Sequence, residues 1–153
     1  MNDPNELADF EDVEILLVED NRQDAEMTIR ALKKCSILNK LYWAKDGVEA
    51  LDFVRCNGAY ENRDPRQIPK LILLDLKMPR LDGLDVLRAL KSDAKTRNIP
   101  IVAMTSSNQE RDVTESYRLG VNGYVTKPVQ FASFMEAVAN IGMYWLFVNQ
   151  TPA

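Results

Sequence analysis

Five side chains of this 153-residue chain are of the types that handle phosphorus or metal, and each follows a short apolar run. Glu19 and Asp20 follow Val13–Val18, and Asp75 follows Lys70–Leu74. Thr105 closes Ile99–Met104, and Lys127 comes just after Gly123–Val125. Three carboxylates brought into one crevice repel one another and require a cation. The sequence has no histidine to offer as a nitrogen ligand, and its two cysteines are too few for a thiolate zinc site. Hard oxygen donors alone favour Mg²⁺, which takes one or two carboxylates plus waters and phosphate oxygens. Asp75, emerging from the run read as the most buried strand, is the best candidate to attack phosphorus in line and form an acyl phosphate. Mg²⁺ and Lys127 would then neutralise the equatorial oxygens, with Thr105 donating a hydrogen bond to one of them. Each residue alone has a plainer reading. Glu19-Asp20 could cap a helix, Asp75 could start a turn, and Thr105 could bond backbone. Lys127-Pro128 alone is a loop signal, and Tyr124 alone reads as core. Their common position at the carboxyl ends of four such runs is what joins them.

The elements that would hold them alternate. Apolar runs at Val13–Val18, Leu41–Ala44 (the weakest), Lys70–Leu74, Ile99–Met104 and Gly123–Val125 suit strands buried on both faces. Between them lie helical patterns. Residues 22–34 place Ala25, Ile29 and Leu32 on one side. Asp46 precedes a helix over Gly47–Cys56, with Val48, Leu51 and Val54 on one face and Asn57-Gly58 as its stop. Asp82-Gly83 opens another through about Ser92, turning Leu84, Leu87 and Leu90 inward. Glu110–Leu119 ends at Gly120, and Phe131–Val148 closes the series. Five β-α repeats predict an α/β fold, a flavodoxin-like (βα)5 doubly wound parallel sheet in strand order 2-1-3-4-5. In such a sheet, ligands bind beyond the carboxyl ends of the strands. The polar stretch Ala59–Pro69 reads as a solvated excursion.

Composition narrows the alternatives. Apolar residues make up 46% of the chain, enough for one core. With 19 Lys+Arg against 23 Asp+Glu the net charge is −4, and six of the acids fall between residues 2 and 14. That acidic opening argues against a secretory leader. The longest apolar run, Ile141–Val148, is far short of a membrane span. Basic residues are scattered, so neither nucleic acid nor a membrane is an expected partner, and a cytoplasmic location is expected.

Taken together, Glu19-Asp20, Asp75 within LLDLKMPRLDG (Leu73 to Gly83), Thr105-Ser106, and Lys127-Pro128 with Tyr124 three positions earlier resemble the response-regulator receiver domain of two-component signalling. The resemblance covers residues 13–148. It leaves an acidic tail at 1–12 and a short tail at 149–153, with no effector domain. It implies phosphorylation of Asp75 by a partner histidine kinase or phosphotransfer protein, in a signalling domain that promotes only its own phosphorylation and dephosphorylation. It implies Mg²⁺ bound by Asp20, Asp75 and the backbone carbonyl of Lys77, with Glu19 acting directly or through water. A cis peptide is expected at Lys127-Pro128. The same resemblance makes Thr105 and Tyr124 a switch: the phosphoryl group draws the Thr105 hydroxyl inward and Tyr124 fills the vacated space. This remodels the face formed by the fourth helix, fifth strand and fifth helix.

The closing helix suggests how a signal would leave. Phe131, Phe134, Val138, Ile141, Trp145 and Val148 form one seam fit for the core, while Met143, Tyr144, Leu146 and Phe147 lie off it. An exposed apolar patch is therefore expected, and with it a homodimer through this helix at Met143, Tyr144, Trp145, Leu146 and Phe147. The ending also resembles stand-alone receivers that partner bacterial phytochrome kinases. A Mg²⁺-dependent phosphatase with an aspartate nucleophile is the main rival, but it usually carries a second acid two positions on, where Lys77 stands. A flavin module would need a hydroxyl- and glycine-rich loop after the first strand, and no GxGxxG or GxxxxGK[ST] occurs. Turnover of a phosphomonoester would favour the phosphatase, and an acyl phosphate of single stoichiometry the receiver.

Overall fold

Short, mostly apolar segments that alternate with helices suit a parallel sheet covered by helices. In the computed structural model, which describes residues 13–35, 40–106 and 110–148, they lie in such a sheet. The segments expected to be tails, 1–12 and 149–153, lie outside the described residues. The strands are β1 (Ile15–Val18), β2 (Leu41–Ala44), β3 (Leu71–Asp75), β4 (Ile101–Thr105) and β5 (Gly123–Thr126). The helices are α1 (Arg22–Leu32), α2 (Gly47–Arg55), α3 (Gly83–Lys91), α4 (Glu110–Arg118), α5 (Phe131–Asn140) and α6 (Trp145–Val148), with a short 3₁₀ turn at Gly58–Tyr60. All strand pairs are parallel, in the expected order β2-β1-β3-β4-β5. Among the described residues no helix is long and apolar enough to cross a membrane.

Alternate residues of each inner strand feed two cores. Leu16, Val18, Ile72, Leu74, Ile101 and Ala103 pack with Phe53, Val86, Leu87 and Leu90 of α2 and α3. Ile15, Leu17, Leu71, Leu73, Val102 and Met104 pack with Ala25 and Leu32 of α1 and with Phe134 and Val138 of α5. The helices start where short polar side chains accept their free N–H groups: Asn21 from Asp24, Asp46 from Glu49, and Asp82 from Asp85.

Three expectations are corrected. Val48 does not share the buried face of α2; it is 55% exposed, while Ala50, Phe53 and Val54 are buried. At 3.6 residues per turn, positions 48 and 50 lie on nearly opposite sides of the helix. The stretch Ala59–Pro69 is not merely a solvated excursion. Tyr60 is buried and its hydroxyl donates to Glu49 Oε1 at 2.7 Å. Buried Arg63 lies over the Phe53 ring at 3.9 Å and donates to the Phe53 carbonyl. Nor does one helix run from Phe131 to Val148. Gly142, at φ +80°, closes α5: its N–H reaches Ala139 O at 3.0 Å and the Met143 N–H reaches Val138 O at 2.8 Å. This paired bonding around a left-handed glycine is the Schellman ending.

The glycine ending redirects the chain, so the expected exposed patch is not seen among the described residues. Met143, Leu146 and Phe147 join the second core, and the Phe147 ring meets Phe134 edge-on at 5.4 Å. Of the five residues expected at a dimer interface, Tyr144 alone is seen exposed, and the Trp145 side chain lies outside what is described.

Candidate functional site

Because the strands are parallel and their register nearly level, their carboxyl ends deliver side chains to one edge. Val18 stands opposite Leu74, Asp75 opposite Met104, and Thr105 opposite Thr126. The next residues along are therefore Glu19 and Asp20 after β1 and Lys127 after β5. Backbone bonds fix these ends. The Glu19 N–H donates to Ala44 O at 3.1 Å, and the Lys127 N–H to Thr105 O at 2.8 Å. The Trp43 indole N–H donates to Glu19 O at 2.8 Å. The Lys127–Pro128 peptide is cis, as expected.

The three carboxylates converge: Glu19, Asp20 and Asp75 each offer an oxygen within 4.8 Å of the others. Glu19 and Asp75 are buried, and Asp20 is exposed at the mouth. Asp75 Oδ1 accepts the Lys77 N–H at 3.1 Å, so the described bond to this centre from Lys77, expected to offer its carbonyl, is made by its amide. Lys127 Nζ stands 2.7 Å from Glu19 Oε1 and 3.1 Å from Asp75 Oδ2. The Asn21 N–H reaches Glu19 Oε2 at 3.2 Å. The Thr105 hydroxyl is buried and donates to Ser106 O at 3.2 Å, the backbone contact of its plainer reading. Tyr124 is not core: it is 45% exposed and meets the exposed Tyr117 edge-on at 6.1 Å.

Sequence reasoning missed one member of this group. Asp24, in the first turn of α1, places Oδ2 3.3 Å from Lys127 Nζ. Asp20 precedes the N-cap Asn21 and lies outside the helix, so its spacing to Asp24 carries no helical-turn signal, and the pairing of Asp24 with Lys127 spans 103 residues.

Burial first and the facing Asp75 carboxyl second push the Glu19 carboxyl up to about 8, against the opposing pull of Lys127. Burial alone would lower the Lys127 ammonium, but Glu19 and Asp75 outweigh it and hold it above the usual lysine range. Glu19 Oε1 and Asp75 Oδ2 are buried, and the described partner of each is the shared Lys127 ammonium. Two such oxygens beside the open carboxylate of Asp20, with no nitrogen or sulfur donor among them, fit a hard divalent cation such as Mg²⁺.

The response regulator receiver domain family matches residues 15–139 of this chain. The chain is 40% identical over 139 residues to response regulator Rcp1 of Synechocystis sp., a match that spans 91% of this chain and 92% of Rcp1. Among solved structures, the bacteriophytochrome response regulator AtBRR is 47% identical with a TM-score of 0.79, covering 90% of this chain and 98% of its own. The Mn²⁺-bound form of Rcp1 is 38% identical with a TM-score of 0.71, covering 92% of this chain and 99% of its own.

Proposed function

This chain belongs to the response regulator receiver domain family, and on that premise we propose that Asp75 is the residue that accepts a phosphoryl group from a partner histidine kinase. The observation that carries the reading is the Asp75 side chain. It is buried at a strand end, with Oδ2 facing Lys127 Nζ at 3.1 Å and two further carboxylates beside it. In the transfer, an Asp75 oxygen bonds to phosphorus as the bond from phosphorus to the kinase imidazole nitrogen breaks, and the imidazole leaves with that electron pair.

Glu19, Asp20, Asp75 and the Lys77 backbone carbonyl would hold Mg²⁺. Bound there, the ion supplies positive charge against the phosphoryl oxygens. Lys127 holds its ammonium 3.1 Å from Asp75 Oδ2 and would neutralise another oxygen. Thr105, one strand over, turns its hydroxyl from Ser106 O to the phosphoryl group, and Tyr124 moves inward from its place against Tyr117. That movement reshapes a groove of about 520 Å³ between β5 and α5, lined by Tyr117, Tyr124, Lys127 and Ser133. The structure holds Tyr124 in its outward position, the one this reading assigns to the resting state. The kinase is of the bacterial phytochrome class, a reading supported by the relatives named for that photoreceptor.

Intact-mass measurement after treatment with acetyl phosphate tests the assignment. With Mg²⁺ present the chain should gain one phosphoryl group, chelator should abolish the gain, and Asp75→Asn should show none. A phosphoryl group retained by Asp75→Asn would overturn the reading.

A further inference from the structure

We propose that Asp24 is a positioning residue that holds a share of the Lys127 ammonium, strengthening cation binding at the carboxylate cluster and weakening retention of the phosphoryl group. The inference rests on the phosphoacceptor reading of Asp75 and adds a determinant of how long the phosphoryl group stays.

The Lys127 ammonium has three N–H donors and three carboxylates around it. Glu19 lies at 2.7 Å, Asp75 at 3.1 Å and Asp24 at 3.3 Å. The first two also belong to the oxygen cluster fit for a cation, whereas Asp24 lies outside that cluster and its described side-chain contact with the centre is through the lysine. Ammonium and divalent cation therefore compete for Glu19 and Asp75. A carboxylate on the outer side of Lys127 relieves that competition by giving the ammonium somewhere else to bond. Its own negative charge also favours a cation nearby.

For the phosphoryl group, both effects reverse sign. Phosphorylation adds negative charge at Asp75, which Asp24 repels. Asp24 also draws on the same ammonium that would neutralise that charge. The Asp24 side chain is 41% exposed, so solvent screens the effect and a modest size is expected, about threefold in each direction. Replacing the carboxylate leaves the fold intact, because the helix cap uses the Asp24 backbone N–H, which donates to Asn21 Oδ1 at 2.9 Å.

The test uses calorimetric titration of the full chain with Mg²⁺, then with beryllofluoride as phosphoryl analogue at saturating Mg²⁺. In Asp24→Asn the dissociation constant for Mg²⁺ should rise about threefold and that for beryllofluoride should fall about threefold, with Asp24→Glu restoring both. A general loosening of the site would weaken both ligands together. Shifts of the same sign, or no shift in either, would overturn the inference. Failure of the unaltered chain to bind beryllofluoride would overturn the phosphoacceptor reading instead, and is seen before any variant is made.

Discussion

Glu19 is the most constrained residue of the centre, and its environment makes a pH prediction. Its ordinary value is 4.5 and burial lifts it to about 8 in the folded chain. The folded state thus binds this proton more tightly than the unfolded state does. The resulting stabilisation is complete below the ordinary value and is lost as pH rises through the raised one. In the absence of divalent cations the melting temperature should therefore fall between about pH 5 and pH 8. Mg²⁺ requires the deprotonated carboxylate, so it should raise the melting temperature more at about pH 8 than at pH 5.5. In Glu19→Gln the cation-free slope should flatten. Differential scanning calorimetry measures all three, and an unchanged slope in Glu19→Gln would place the titrating proton elsewhere.

Residues at this scale were legible in the sequence to the extent that strand ends were legible. Glu19, Asp20, Asp75, Thr105 and Lys127 each follow an apolar run, and parallel strands in one register must bring such positions together. Asp24 was not, because it reaches the centre from a helix across a sequence separation of 103 residues, and no local pattern reports such a pair.

At the scale of elements, the centre depends on how closely α3 approaches the end of β3. Gly83 opens α3, and a Cβ placed there would stand 2.1 Å from the Asp75 carbonyl oxygen and 2.6 Å from Leu76 Cα. Both neighbours are backbone, so neither can swing aside as a long side chain would. The Gly83 N–H meanwhile donates to Leu76 O at 3.1 Å, tying the helix start to the strand end. Gly83→Ala must push the two apart, and we expect a loss of about 3 kcal/mol by denaturant unfolding. Weakened Mg²⁺ binding should accompany it, because the displaced backbone carries Asp75. A loss below about 1 kcal/mol would mean that the junction yields easily and that glycine is not required there. The elements themselves followed from periodicity, but burial within them did not always follow. Val48 was misassigned because apolar character alone does not fix which side of an amphipathic helix faces the sheet. The burial of Arg63 was missed because, beside the nearby Gln67 carbonyl, it depends on the ring and carbonyl of Phe53, which lies ten residues back on α2.

For the molecule as a whole, the question is whether the apolar ending serves this chain's own core or another surface. A continuous helix from Phe131 would have carried Met143, Leu146 and Phe147 outward. Gly142 ends that helix, and α6 lies with these three side chains in the core that also contains Phe134 and Val138. The glycine was the missed signal: a left-handed residue after a helical run marks an ending even when apolar residues continue beyond it. The two accounts separate on one substitution. Leu146 is fully buried, so Leu146→Ala should leave a cavity and lower stability by about 3 kcal/mol in denaturant unfolding. Sedimentation should report the same oligomeric state before and after, since the side chain faces inward. Unchanged stability together with a loss of self-association would instead show that Leu146 serves an interface, and that α6 leaves the core in solution.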